Sequence, residues 1–523
     1  MTAQKYDQAF FLDLAEKGKD TWNAWRLAYK DVRVTFAGVD FSVAPLDQID
    51  FAGYEFGDYA DFSYCKWRGC NSLREKRRFP PGRARFSFAK FGASANFTGA
   101  NFGLKPTFFG AEFGDRAKFI DATVGAGAYF EGVAFGKKAD FLRATFASAP
   151  DDGGINEPQH SGLGDPEDDG TDEFEVGAAK FNFATFGDKT TFKFAAFESG
   201  AQFRGTGFGW QIDFSEAHFK DYVNFEGMNR DAWNKEFETM PAIINRRDTT
   251  WARAEAKPNS FYDLTCSNTR FDSEAIFKGR AFDWTADFRN ALFYYPPDFD
   301  GVSYPHRIDF TGAHFGFVRP KEWHWTIETQ IPLRLRAFRK IAEETKNHDL
   351  ERDLYIEERK AERGVYLRQR WKVLKNEGWK SWPRNIARLA IHGFWIFVMF
   401  FYWALADYGR NFLVPAIWLG LSVPFFYSRH SEVLARLVHE AGPANAEKYS
   451  HAVWMLALGN AVPFVGPLTI DSEIKKFLFC PGFGNCLPIP PEGYQLLVLG
   501  QNLLSIILVF FIGLALRNYF KIK

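Results

Sequence analysis

Residues 86–146 read FSFAKFGASANFTGANFGLKPTFFGAEFGDRAKFIDATVGAGAYFEGVAFGKKADFLRATF, and the spacing of their phenylalanines decides the fold. Phe86, Phe97, Phe108, Phe119, Phe130 and Phe141 follow one another at a step of eleven, and each has a partner five residues on, at Phe91, Phe102, Phe113, Val124, Phe135 and Phe146. The register resumes at Phe181, Phe192, Phe203, Phe214 and Phe225, with partners Phe186, Phe197, Phe208 and Phe219. A third block runs through Cys266, Phe277, Phe288, Phe299 and Phe310, paired with Phe271, Phe282, Phe293, Tyr304 and Phe315. A looser start stands at Phe36/Phe41, Phe51/Phe56 and Phe62/Trp67.

Two residues before most of these large side chains sits a small one, as at Ala95, Ala100, Ala117, Ala122, Ala139, Ala144, Ala179 and Ala184. Alternating spacings of five and six fit neither the 3.6 period of a helix nor the period of two of a strand. The chain therefore has to turn a corner at each step. A chain that turns every five or six residues and points one bulky and one small residue inward per side stacks as a solenoid. Phe203 is then expected to point inward and Arg204 outward, where its replacement would be nearly silent.

The F-x-x-A-x-F units resemble the Phe-type branch of the pentapeptide-repeat family. The resemblance implies a right-handed quadrilateral β-helix with two eleven-residue units per coil. About ten such coils lie between residues 36 and 315, a rod roughly 45–50 Å long at ~4.8 Å per paired strand. The opening residues 1–30, with GKDTWNAWR, are similar to the helix that caps such rods, and a solenoid needs terminal caps. Residues 31–318 then form the rod, 319–385 a helical connector and 386–523 a domain of transmembrane helices. The resemblance leaves function open, because proteins of this family serve as DNA-gyrase inhibitors, effectors and scaffolds.

Two stretches interrupt the rod. Residues 147–177 carry ten Asp/Glu and no Lys/Arg, as expected of a solvated excursion. A calcium loop begins there with Asp165, Glu167, Asp169 and Gly170, but Val176 stands where a bidentate Glu is required. Residues 228–260 read as one or two short helices lying on the rod. The basic stretch Lys66–Arg85 reads as an exposed loop, with a phosphate or anionic-lipid contact as the alternative. Cys65 fills a small inward slot, Cys266 a Phe slot, and Cys70 lies five residues from Cys65. Arg280 falls where a small residue belongs, so either the coil bulges or a carboxylate meets the charge.

The whole chain of 523 residues balances 64 Lys+Arg against 64 Asp+Glu, so nucleic acid is not an expected partner. Five cysteines without a C-x-x-C pair exclude a disulfide scaffold and a zinc ribbon. The first residues, MTAQKYDQAFFLDLAEKGK, contain no apolar run of the kind a signal peptide has. No G-x-S-x-G, P-loop or H-E-x-x-H is present, so no enzyme is expected, with no catalytic residue, cofactor or metal site.

From Pro332 the composition turns helical, with Glu358 and Glu362 opposed by Arg359 and Arg363. Four apolar segments follow, at 389–406, 412–427, 452–468 and 494–516, against the twenty or so residues needed to span a bilayer. The basic flanks are Arg384 and Arg388, then Arg429, Arg436 and Lys448, then Arg517, Lys521 and Lys523. With four spans they share one face, which places the rod and the carboxyl terminus on the cytoplasmic side of a bacterial inner membrane. Cys480 and Cys486 then lie on the far side as a candidate disulfide.

Asn460, Gln501 and Asn502 are polar within these segments, expected as interhelical hydrogen-bond partners or as pore lining. DYGRN, GNAVPFVG and IGLALRNYFKIK also look like the membrane segments of other bacterial pentapeptide-repeat proteins, some laid out as a two-span channel. This sequence lacks their filter. The expected function is a membrane-anchored scaffold or binding module, with a gated homo-oligomeric pore as the alternative. A protein partner stays unidentified, and the lipid bilayer is the one expected partner.

Overall fold

Strands 22 residues apart in the repeat lie side by side and parallel: Lys90 pairs with Glu112 and Glu112 with Ala134. The computed structural model describes residues 6–69, 81–148, 177–239, 257–304, 307–315, 330–376, 412–440, 446–461, 478 and 493–521. The calcium-loop residues, Cys70, much of the basic stretch, segment 389–406, Cys480 and Cys486 lie outside them. The strands form four sheets, of six, six, four and five strands, and consecutive members of a sheet are separated by a full turn of the chain. This is a β-solenoid-like stack. The register survives both insertions, since Thr145 pairs with Ala196 and Ile212 with Leu264. Each excursion leaves one coil and returns to start the next.

The interior is filled by columns of aromatic rings. Phe86, Phe108, Phe130, Phe181, Phe203, Phe225, Phe277 and Phe299 form one column with centroids 4.7–5.2 Å apart. Phe91–Phe113 (4.7 Å, 1°) and Phe146–Phe197 (4.5 Å, 1°) belong to two others. The strand spacing of ~4.8 Å imposes the near-parallel stacking, while neighbouring columns meet edge-on, as Phe97 and Phe108 do at 89°. Small residues are required because four large rings per coil already fill the space. Ala95, Ala117 and Ala139 are fully or almost fully buried beside them.

Cys65 occupies its Ala slot with Sγ 3.0 Å from the Phe36 carbonyl, and burial pushes its thiol up to about 12. Cys266 is fully buried in the column that holds Phe214 and Phe288, its thiol raised by the same desolvation. Both are inert packing residues. Arg280 resolves the alternative posed by the sequence in favour of a bulge: the pairing of Ser260–Thr265 with Ala281–Asp287 slips between Phe261 and Asp263. Among the described residues no carboxylate bonds to the guanidinium, although the Glu226 charge acts on it in favour of the cation. Its acceptors are the backbone carbonyls of Phe203, Phe225, Thr206 and Pro258, and it lies over the rings of Phe208 and Phe261.

Two helices, α1 (Gln8–Glu16) and α2 (Lys19–Ala28), close the first coil. Trp22 is fully buried against Phe36 and Phe56, and Tyr54 donates to the Ala15 carbonyl. Asn23 pairs with Gly53 and Glu55 as a strand would, which satisfies the exposed edge of the stack. Helix α3 (Arg230–Thr239) belongs to the second insertion and lies on the rod, with Trp233 packed on Phe183 and its indole donating to the Gly205 carbonyl. Arg204 does point outward, but it forks onto Glu236 of α3 at 2.7 and 3.0 Å. Its side chain holds the helix down, so the expectation of a silent position is revised.

Helices α4 (Gln330–Glu344) and α5 (His348–Asn376) follow. Phe338 of α4 sits on Phe299, Phe310 and Phe315 at 5.0–5.2 Å and so continues the aromatic column by one level. The connector is thus a second cap. Glu358 of α5 is buried between Arg336 and Arg339 of α4, at 2.9 and 2.8 Å, a pairing between helices where the sequence suggested pairs along one helix. Along α5 itself Arg359 pairs with Glu362 at 2.6 Å and Lys360 with Glu357 at 2.8 Å.

The chain divides into units Met1–Arg370 and Trp371–Lys523. In the second, α6 (Leu413–Glu440), α7 (Ala446–Ala461) and α8 (Tyr494–Lys521) pack on one another. Helix α6 runs well past the apolar segment 412–427, through Pro424 and into charged residues. Among the described residues one helix is long and apolar enough to cross a bilayer, Tyr494–Arg517, with a mean hydropathy of 2.3.

Candidate functional site

The three described helices of the second unit carry large apolar side chains on their exposed faces and bury a mostly apolar core, with Leu434, Val453, Leu456 and Leu508, in which a few polar residues stand. Leu496, Leu499, Leu503, Ile506 and Phe510 recur at steps of three or four along α8, and all of them are exposed. Helix α6 exposes Ile417, Trp418, Leu421 and Phe425, and α7 exposes Trp454 and Leu458. Only 17% of the Tyr494–Arg517 apolar window is buried, so α8 is not a core helix surrounded by its own protein. In water such a surface is costly at ~25 cal/mol per Å².

The interior also contains polar groups. Gln501 is fully buried on α8, and its Nε2 donates to the Ala457 carbonyl of α7 at 2.7 Å. That bond fixes which end of the amide is which, so Oε1 is the acceptor facing His430 Nε2 of α6 at 2.9 Å. His430 therefore carries its proton on Nε2, and in the neutral ring Nδ1 is a bare acceptor. Gln501 joins all three helices by two hydrogen bonds.

Asn460 lies one turn beyond Ala457 and is buried, with Nδ2 unpaired. Ser505 lies one turn beyond Gln501, fully buried, with Oγ unpaired. Asn502, the third candidate residue, is half-buried one residue around the helix from Gln501 and makes none of these bonds among the described residues. His430 and Ser505 were missed by sequence reasoning. His430 follows the apolar segment in the charged run SRHSE, and only the continuation of α6 to Glu440 brings it inside.

The rod carries one surface feature of the same scale. Trp210, Tyr262 and Trp284 stand exposed on one side, in three successive levels of the stack. Tyr262 lies parallel to Trp284 at 6.3 Å and edge-on to Trp210 at 6.3 Å, with Lys257 over its ring. Among the described residues no cluster of three His, Cys, Asp or Glu could hold a metal ion. No family model, no curated protein and no solved structure matches the chain at a significant level.

Proposed function

We propose that the chain is a membrane-anchored scaffold: a right-handed four-sided β-helix of the pentapeptide-repeat type, held at a bacterial inner membrane by its carboxyl-terminal helices. The observation that carries this reading is the row of exposed apolar residues along α8, Leu496, Leu499, Leu503, Ile506 and Phe510, on a helix long and apolar enough to cross a bilayer. Tyr494–Arg517 crosses the bilayer, and the basic residues Arg517, Lys521 and Lys523 at its end favour a cytoplasmic carboxyl terminus. A multi-span arrangement, with the rod also cytoplasmic, extends this reading through the remaining apolar segments.

The rod supplies the binding surface. A side of a four-sided β-helix offers no cleft by itself, which suits a macromolecular partner better than a small substrate. Trp210, Tyr262 and Trp284 provide rigid aromatic area of the kind that anchors protein interfaces. Gln501 is engaged between helices rather than facing a lumen, which favours the scaffold over the pore. Two experiments test the reading. Full-length protein in proteoliposomes should give no ion flux above empty vesicles. Crosslinking in cells from a photoreactive residue at position 283 should capture a discrete partner, lost in a Trp210→Ser, Trp284→Ser variant. Reproducible currents, or capture indifferent to the two tryptophans, would overturn it.

A further inference from the structure

Among the described residues of the helical unit, three buried polar atoms have no protein partner: His430 Nδ1, Asn460 Nδ2 and Ser505 Oγ. Buried groups of this kind are bonded in stable proteins, to protein or to water, because an orphan costs about 1–3 kcal/mol. A serine within a helix ordinarily bonds the carbonyl three or four residues back. Ser422 of α6 does so, donating to the Leu419 carbonyl at 2.6 Å. Ser505 does not.

The helices bring Asn460 and Ser505 to the same level. Tyr494 of α8 packs with Tyr449 of α7 in one cluster, and Gln501 of α8 bonds Ala457 of α7. The two helices therefore run in the same direction. Three residues beyond Ala457 is Asn460, and four beyond Gln501 is Ser505. Ala457 and Ala461, which flank Asn460 along α7, are buried and cluster with Val423 and Tyr427 of α6. The unpaired set holds a donor amide, a hydroxyl that donates or accepts, and an imidazole acceptor, with no carboxylate and no cation.

We infer that the helical unit contains an internal hydration site, in which water is held between Asn460 Nδ2 and Ser505 Oγ and a second water donates to His430 Nδ1. Water supplies both a donor and acceptors, and a buried water makes about three hydrogen bonds. Neutral lining selects it over an anion or a metal ion. Gln501 is already bonded to both Ala457 and His430, so it needs no water of its own. The inference does not depend on what the rod binds or on the span count, since it concerns α6, α7 and α8 alone.

Solid-state NMR on the full chain in liposomes tests it. Magnetisation transferred from water should build up several-fold faster at the Asn460 amide and the Ser505 side chain than at Leu508, which is buried one turn beyond Ser505. The nitrogen spectrum of His430 should show Nε2 protonated and Nδ1 bare but hydrogen-bonded. Asn460→Leu should cut the transfer at Ser505 several-fold, and Ser505→Ala should do the same at Asn460 should the leucine variant fail to fold. Build-up no faster than at Leu508, or transfer unchanged in a folded variant, would overturn the site.

Discussion

Replacing Arg280 by alanine separates two accounts of the coil around it. The guanidinium is completely buried, and desolvation lowers its pKa from 12.5 to about 9, so it remains a cation at neutral pH. A drop of that size corresponds to roughly 5 kcal/mol of penalty for holding the charge inside. Four bonds to backbone carbonyls oppose it, at ~1.5–3 kcal/mol each for bonds to a charged group, together with the rings of Phe208 and Phe261. The bonds outweigh the penalty.

Truncation removes the penalty and the bonds together, and it takes from the Phe225 and Thr206 carbonyls their donor, while Phe203 and Pro258 keep the Thr206 and Met228 N–H groups. The expected loss is about 3–5 kcal/mol. Because each coil of a solenoid touches only its neighbours, the loss should be local. Hydrogen exchange of the full-length protein in detergent should show lowered protection in residues 203–228 and 257–287 and none in 86–113. The opposing account is that Arg280 itself forces the bulge. Alanine, which fills the same slot at Ala89, Ala111 and Ala184, would then restore a regular coil. Unchanged or improved protection around 260–282 in Arg280→Ala would refute the reasoning.

Phe338→Ala uncovers the last aromatic level and should cost about 3–5 kcal/mol, read as faster exchange in residues 288–315. Arg204→Ala should cost no more than about 1 kcal/mol at this half-exposed pair, yet release α3, so amides of 230–239 exchange faster while those of 201–208 do not. The hydrogen bond from Arg204 holds Glu236 below its usual 4.5. That contribution is present above this value and is lost as the pH falls through the lowered one, so α3 should loosen on acidification in the wild type but not in Glu236→Gln. An impermeant thiol reagent on intact spheroplasts should reach Cys480 and Cys486 after mild reduction, since they precede a final span whose far end is cytoplasmic. It should not reach the buried Cys65, and failure to label the pair would reverse the assigned orientation.

Much of the rod was legible because its period is dictated by packing. A ring every five or six residues can be stacked only by turning the chain; that two eleven-residue units make one coil was what the resemblance implied, and the strands do pair 22 residues apart. The second cap was harder to read. Phe338 is a single aromatic residue in a charged helix, RLRAFRK, and nothing in its neighbourhood says that it continues a column built by residues 299–315. Glu358 illustrates the same limit: spacing along one helix proposes partners, but the arginines that bury it come from the preceding helix.

In the second unit, hydrophobicity located the helices, and Gln501 and Asn460 stood out as polar interruptions. Which of them would be joined was not legible, because a rotation of about 100° per residue separates buried Gln501 from half-buried Asn502. His430 was hidden by the charged residues beside it. Arg429 faces outward to Glu432 while the next residue turns in to Gln501.

Flotation of the full-length protein on a density gradient, after refolding from denaturant in the presence or absence of lipid vesicles, tests membrane anchoring directly. The outward leucines of α8 should carry the chain to the top with the vesicles, and it should stay there through washing in alkaline carbonate. A protein that remains soluble and monodisperse without lipid or detergent, and sediments free of vesicles, would contradict the account.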